Sequence, residues 1–445
     1  MFISSIFFLI FFFTNSPEII HSSTNLNGIK VVKENDFLPV RQSRVRLGRL
    51  LFYDNILSGN RNISCGTCHN HKLHGTDGLS LGVGEGGSGI GLDRSSGKEN
   101  SRIKKRIPRN SPALFNLGAK EIKVMFYDGR LSFGQEYGNE FNSPAEEWLH
   151  DGVANLLAAQ ALLPLAAEFE MAGNSGENQV AGAIYDRIDL GWPIISKRVR
   201  VIPEYGKLFL EAFDEISDPT QVNVSHIANA LSDFINFEWR SYDSPFDSYL
   251  NGNENALSSE QEKGMELFFG KAKCADCHSG KFFTDQKFHA LALPQFGPGR
   301  TRFLDPYVRD VGRMGETDRL EDAYRFRTQT LRNVTLTAPY GHNGSYATLE
   351  GIIRHHLDPI NSLDNWDPSQ VILPDAKWLE DIDFIVLEDR LERKRLKSRL
   401  DIEPINLSNE EVSEIVSFLS SLTRTKSIWG KLGKPRQVPS GLPVD

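Results

Sequence analysis

The chain has only four cysteines, and they fall in two five-residue strings, Cys65-Gly66-Thr67-Cys68-His69 and Cys274-Ala275-Asp276-Cys277-His278. C-x-x-C-H is the attachment pattern of a c-type haem. Two thiols three positions apart can add to the two vinyl groups of one haem, and the next residue's imidazole then reaches the iron. A zinc reading would need two further ligands at each pair, and a redox dithiol does not require the following His. The two copies use every cysteine, leaving none for a disulfide or a thiolate nucleophile. The pattern predicts a covalent dihaem protein, tethered through Cys65, Cys68, Cys274 and Cys277, with His69 and His278 as proximal iron ligands.

At 445 residues the chain is too long for one small cytochrome unit and suits two domains with insertions. Its net charge of −8 argues against nucleic acid as a partner. Phe2 to Phe13 is an almost unbroken apolar run followed by Thr14-Asn15-Ser16. It is short for a membrane span and of the length of a secretory signal core, although no Lys or Arg precedes it and no A-x-A site follows. Residues 1–24 are therefore read as a signal peptide, with an uncleaved anchor as the alternative. Either sends the rest of the chain across a membrane, with a bacterial periplasm as the expected setting.

The periodic segments read as helices, with little strand-like alternation. Leu47, Leu50, Leu51 and Phe52 precede the first haem motif, and Gly264, Leu267, Phe268 and Phe269 precede the second. The two halves thus repeat one theme, an amphipathic helix leading into a haem-holding loop. Gly82 to Gly97 and the basic run Arg102 to Arg109 read as surface loop, since a G-x-G-x-x-G reading at Gly82 lacks a preceding strand. Residues 375–403 read as a charged helical insertion with a solvated surface. Asn409 to Thr423 reads as a final amphipathic helix, apolar at Val412, Ile415, Val416, Phe418 and Leu419.

With one proximal histidine each, both irons keep an axial position whose occupant decides between electron transfer and peroxide chemistry. Ser345 to His356 reads as a capped helix. Leu349, Ile352, Ile353 and His356 fall at i, i+3, i+4 and i+7, which puts His356 on the apolar face and turns His355 about 100° away. A histidine there is either a hydrogen-bonded core residue or an iron ligand, and a haem in the same half favours the ligand.

From about Arg46 to Leu422 the chain resembles the bacterial dihaem cytochrome c peroxidases and their MauG-type relatives. The matching segments are Leu47 to Asp54 with the first haem motif, Asp77-Gly78, Arg109 to Pro112, Phe126-Tyr127-Asp128-Gly129-Arg130 and Glu170-Met171. The second half adds Leu267 to Gly270 with the second motif, Phe283 to Asp285, Thr330 to Tyr340, His342-Asn343-Gly344 and Ala347 to Glu350. The resemblance implies a mainly α fold of two cytochrome c-like domains, each with one covalent haem, the haems lying near the domain interface. On that reading residues 25–245 carry the peroxidatic haem and are completed by the C-terminal helix 406–445, while residues 246–405 carry the electron-transfer haem. Glu170 stands where the family has its distal acid/base, with Glu168 a nearby rival and an ordinary surface carboxylate the plainer reading. Asn110, with the carbonyls of Thr337 and Pro339, matches the family's calcium site, and oxygen donors suit that ion.

Three positions depart from the family pattern. Glu85 stands where the peroxidases have a histidine that closes the first haem until the second is reduced. This predicts an open first haem, unless His71 or His74 takes that role. His356 stands where the peroxidases use Met and MauG-type enzymes Tyr, predicting a bis-His second haem of lowered potential, with Met314 as the alternative ligand. Tyr127 replaces the usual inter-haem Trp, either as a proton-coupled relay or as a packing aromatic.

The expected activity is reduction of hydrogen peroxide at the His69 haem, with electrons entering through the His278 haem from a cytochrome c or cupredoxin. The alternatives are a MauG-type enzyme that oxidises residues of a protein substrate, and a non-enzymatic dihaem electron carrier. The resemblance leaves room for a homodimer.

Overall fold

The structure is a computed structural model that describes residues 29–301, 308–424 and 430–445. The apolar run Phe2 to Phe13 lies outside the described residues. Among those described, no helix is long and apolar enough to cross a membrane.

The fold is mainly helical, as expected. The helices that organise it are α1 (Gln42–Phe52), α2 (Leu156–Leu162), α3 (Val224–Glu238), α4 (Ser259–Phe269), α5 (Leu349–Leu357), α6 (Glu380–Glu388), α7 (Arg390–Ser398) and α8 (Asn409–Ser420). Two small antiparallel sheets join them: β1 (Val124–Met125), β2 (Leu131–Phe133) and β3 (Phe141–Asn142) in order, and β4 (Phe288–His289) with β5 (Phe326–Arg327).

The repeat read from the sequence has a structural counterpart. Each C-x-x-C turn follows a helix that crosses a later helix at a glycine. On α1 a Cβ added to Gly48 would sit 1.9 Å from the Ala230 carbonyl of α3, and on α4 one at Gly264 would sit 1.9 Å from the Glu414 carbonyl of α8. Only glycine allows backbones to approach so closely. Both members of the second pair begin with reciprocal caps: Ser258 with Gln261 on α4, and Ser408 with Glu411 on α8.

Each pair encloses its own aromatic core. Phe52, Tyr53, Phe234 and Trp239 pack edge-on or tilted around the first, against which Cys65 and Cys68 lie. Phe246, Phe268, Phe283 and Phe418 do so around the second, against which Cys274 lies.

This pairing corrects the expected place of the C-terminal helix. Val412, Ile415, Phe418 and Leu419 bury α8 in the second core, so α3, not α8, completes the first helix pair. Only the tail beyond returns to the first half. Leu432 N and Gly433 N donate to the buried Glu238 carboxylate at 2.7 and 2.8 Å, and Ser440 Oγ donates to Asp54 at 2.7 Å.

Two segments read as solvated surface are also corrected. In the glycine-rich stretch the buried Arg94 donates to the carbonyls of Val83, Gly84 and Gly89, pinning the loop inward. The insertion covers that loop: Leu79, Val83 and Ile103 pack with Ala376 and Leu379. Arg106 Nε donates to both oxygens of Asp383 on α6 at 3.0 and 2.9 Å, with both side chains buried.

Candidate active site

At the first C-x-x-C turn, His69 Nδ1 donates to the Gly75 carbonyl at 2.9 Å, and at the second, His278 Nδ1 donates to the Phe283 carbonyl at 3.1 Å. Such bonds fix the tautomer and leave Nε2 of each ring for a metal. His356 repeats the arrangement, its Nδ1 donating to the Ile352 carbonyl one turn back at 2.8 Å. Burial pushes His278 down to about 4, with His356 the next contributor, so these two imidazoles lie within electrostatic reach of each other. Burial pushes the thiols of Cys65, Cys68 and Cys274 up to about 12 and that of Cys277 to about 11, so none is poised as a free thiolate. The sole metal-compatible grouping of His, Cys, Asp and Glu among the described residues is Cys277, Asp285 and His289, one thiol short of a pair. The donor sets therefore fit c-type haem and not structural zinc.

Helix α5 begins at Leu349, not Ser345, because Thr348 caps it by accepting from Gly351 N at 3.1 Å. His355 is not turned away from the interior. It is fully buried between the Tyr346 hydroxyl at 2.8 Å and the Leu291 carbonyl at 2.7 Å, which occupies both ring nitrogens. His356 beside it is half-buried and keeps Nε2 uncommitted. Met314 packs instead with Ala292, Ala323, Tyr324, Leu363 and Leu396 in a separate cluster.

On the first haem's side, Pro164 ends the chain segment from α2, and Glu168–Ala172 forms a single wide π-turn. Glu170 in that turn is half-buried and within electrostatic reach of the Cys68 sulfur. Burial pushes its carboxyl above the ordinary value, while Arg130 and Arg300 hold part of that rise back. Glu168, two residues earlier, is exposed. Gly84 presses against the same turn, where a Cβ would meet the Phe169 carbonyl at 2.0 Å, and Glu85 N donates to that carbonyl at 3.2 Å. The Glu85 side chain is tied elsewhere: Asn60 and Asn62 each donate a side-chain amide to Oε1 at 2.8 Å. His71 stands 3.9 Å from Glu238, beneath the tail glycines Gly430 and Gly433.

Between the halves, Tyr127 is half-buried, with its hydroxyl 3.5 Å from Asn110 Oδ1 and its pKa pushed up to about 12 by burial. Asn110 is held by its own N–H on the His342 carbonyl at 2.9 Å and by Nδ2 on the Leu79 carbonyl at 2.8 Å. The loop carrying Thr337 and Pro339 is fastened nearby, since Ser80 Oγ donates to Gly344 O at 2.8 Å. The Asn110 amide is fixed with Nδ2 on the Leu79 carbonyl and Oδ1 facing the Tyr127 hydroxyl. Arg109 spans the boundary, bonding Asp128 at 2.6 Å and Asp310 at 2.7 and 2.8 Å.

Two residues of this region had no assigned role in the sequence reading. His342 is buried, stacks on Phe326 at 3.6 Å, has both ring nitrogens without a partner, and is pushed down to about 4 by burial. Asp77 is buried with Oδ2 unpartnered and its carboxyl pushed up to about 7 by burial. Both stood inside matching segments, but nothing in residue type or spacing marked them off.

A family model for di-haem cytochrome c peroxidase matches residues 42–255. The methylamine utilization protein MauG of Methylorubrum extorquens is 29% identical over 72% of this chain and 70% of its own length. The cytochrome c peroxidase Ccp of Escherichia coli is 31% identical over 71% of this chain and 53% of its own length. Among solved structures, a MauG-like protein associated with microbial copper homeostasis superposes with a TM-score of 0.57 at 25% identity, covering 95% of this chain and 98% of that one. These relatives define the class as a haem-dependent oxidoreductase. The chain belongs to the dihaem cytochrome c peroxidase and MauG family.

Proposed function

We propose that the protein reduces hydrogen peroxide to water at a haem held by Cys65, Cys68 and His69, with electrons arriving through a second haem held by Cys274, Cys277, His278 and His356. Bound haem supplies the redox-active iron; the chain's own residues supply position and protons. With haem bound there, Glu170 would take a proton from one peroxide oxygen and return it to the departing one, a role that its raised pKa favours. Two electrons and two further protons complete the conversion to two waters.

Asn110, Thr337 and Pro339 would hold calcium between the halves, and Tyr127 would bridge the two haems. The donor would be a small cytochrome c or cupredoxin. A periplasmic location and a homodimer complete the reading.

The observation that carries it is the joint placement of Glu170 and Glu85. The acid stands near Cys68, while the residue at the position of the closing histidine is a carboxylate held by Asn60 and Asn62. The same observation favours a second reading, a MauG-type enzyme that withdraws electrons from a protein substrate, because both need an open first haem.

Electron paramagnetic resonance of the as-isolated ferric protein tests this, before and after one equivalent of peroxide. One high-spin and one low-spin signal, both altered by peroxide, is the expected result. Two low-spin signals indifferent to peroxide, before and after one-electron reduction, would leave only an electron carrier. Rapid turnover with a reduced carrier protein separates the peroxidase from the MauG-type reading.

A further inference from the structure

A cleft of about 490 Å³ opens where several segments meet: the basic run at Lys104 and Lys105, the Glu168–Phe169 turn, Asn174 with Ser175, Pro298 with Val308 of the second half, and Ile382 of the insertion. Its size suits a small organic molecule. The insertion builds this cleft, because the Asp383 bond to Arg106 and a 2.9 Å bond from Trp378 Nε1 to the Ile103 carbonyl lock α6 over the first half. The neighbouring Ile382 is left 40% exposed, a branched aliphatic facing an open cavity.

The walls are of two kinds. Phe169, Pro298, Val308 and Ile382 offer apolar surface for a flat ring. Glu168 offers a hydrogen-bond acceptor, and Lys105, whose ammonium lies 5.6 Å from the Phe169 ring centroid, offers a donor. Lys104 is drawn to Glu177 at 3.7 Å, so among the described lining residues Lys105 and Glu168 are the cation and the carboxylate left to face a ligand, with Asn174 and Ser175 adding neutral polar surface. A neutral ring bearing one hydroxyl satisfies both, donating to Glu168 and accepting from Lys105. Burial holds the Lys105 ammonium below its ordinary range, so a hydrogen-bond acceptor beside it is favoured.

We propose that this cleft binds a small phenol that serves as a direct electron donor. The proposal rests on the peroxidase reading for its redox step. The phenol ring would pack on Phe169, one residue from Glu170, and its O–H would point at Glu168. On oxidation the phenol gives up one electron toward the first haem and its proton to Glu168. Two phenols and one hydrogen peroxide yield two phenoxyl radicals and two waters.

The test uses the holoprotein with p-cresol, and with 4-methylanisole as the same ring lacking the donor hydroxyl. Saturation-transfer NMR without peroxide reads binding alone. Saturable p-cresol binding, weakened roughly tenfold both by Ile382→Arg and by removal of the hydroxyl, is expected. With peroxide, p-cresol should be consumed two to one, and Ile382→Arg should abolish this while leaving cytochrome-driven peroxide turnover intact. Equal binding of p-cresol and 4-methylanisole, or no saturable binding, overturns the site. Binding without p-cresol oxidation in an enzyme that still turns over with cytochrome overturns the donor role alone, whereas loss of both activities would count against the peroxidase reading.

Discussion

Glu168 and Glu170 lie two positions apart in one turn, yet their surroundings differ enough to assign separate tasks. A carboxyl must give and take a proton near neutral pH to serve peroxide cleavage, and partial burial raises Glu170 in that direction. Glu170→Gln keeps the shape and removes the titration. Peroxide turnover should fall by about 10²–10⁴-fold with an unchanged haem spectrum, measured by stopped-flow and optical absorption. For the wild-type enzyme the base form is lost as pH falls through the raised Glu170 value, so the acid limb of the rate should lie above that of an ordinary glutamate. At the other haem, His356→Ala should convert a low-spin signal to a high-spin one, since the neighbouring His355 has both nitrogens engaged. Retention of the low-spin signal would exclude His356. The haem-attachment residues were legible because their chemistry demands fixed spacing. His342 was not, because a buried, stacked imidazole is created by Phe326, which lies 16 positions earlier in the chain.

At the scale of elements, periodicity located α1, α4 and α8 within a few residues because each buries one apolar stripe. What periodicity cannot carry is the choice of partner. Gly48 and Gly264 hold that information, but only as missing side chains, whose meaning appears once the crossing helix is known. The insertion hides its role for a related reason: a charge-dense helix looks solvated until one of its carboxylates meets a buried arginine. Removing that carboxylate leaves Arg106 buried without its ion partner, a loss of about 3–5 kcal/mol for a broken buried pair. Asp383→Ala should therefore lower the urea midpoint and speed hydrogen exchange across Glu380–Glu388 and the loop at Val83. Exchange unchanged at Val83 would show that the insertion does not brace the glycine-rich loop.

Across the whole molecule, buried guanidiniums tie the two halves together, Arg106 at the insertion and Arg109 beside Tyr127. Arg109, from the first half, bonds Asp128 beside Tyr127 and Asp310 from the second half, and all three side chains are nearly or fully buried. Burial alone would raise both carboxyls; Arg109 reverses this at each, aided by Arg130 and Arg300 at Asp128, so both lie below the usual carboxylate range. A carboxylate depressed in the folded state contributes stability above its unfolded pKa of about 4, and that contribution is lost as pH falls toward the folded value. The junction should thus be fully stable at pH 5 to 7 and weaken only in acid below about 4. Arg109→Met keeps the stem and removes the charge. At pH 7 it should cost about 3–5 kcal/mol, because two buried carboxylates lose their shared cation. Between pH 7 and pH 3, however, the variant should lose less stability than the wild type, because its carboxyls take up protons more readily while folded. Urea midpoints of both proteins at the two pH values measure this difference. Equal losses would mean that the junction's stability does not depend on this ion triad and rests on the other ties, such as the Arg106–Asp383 pair.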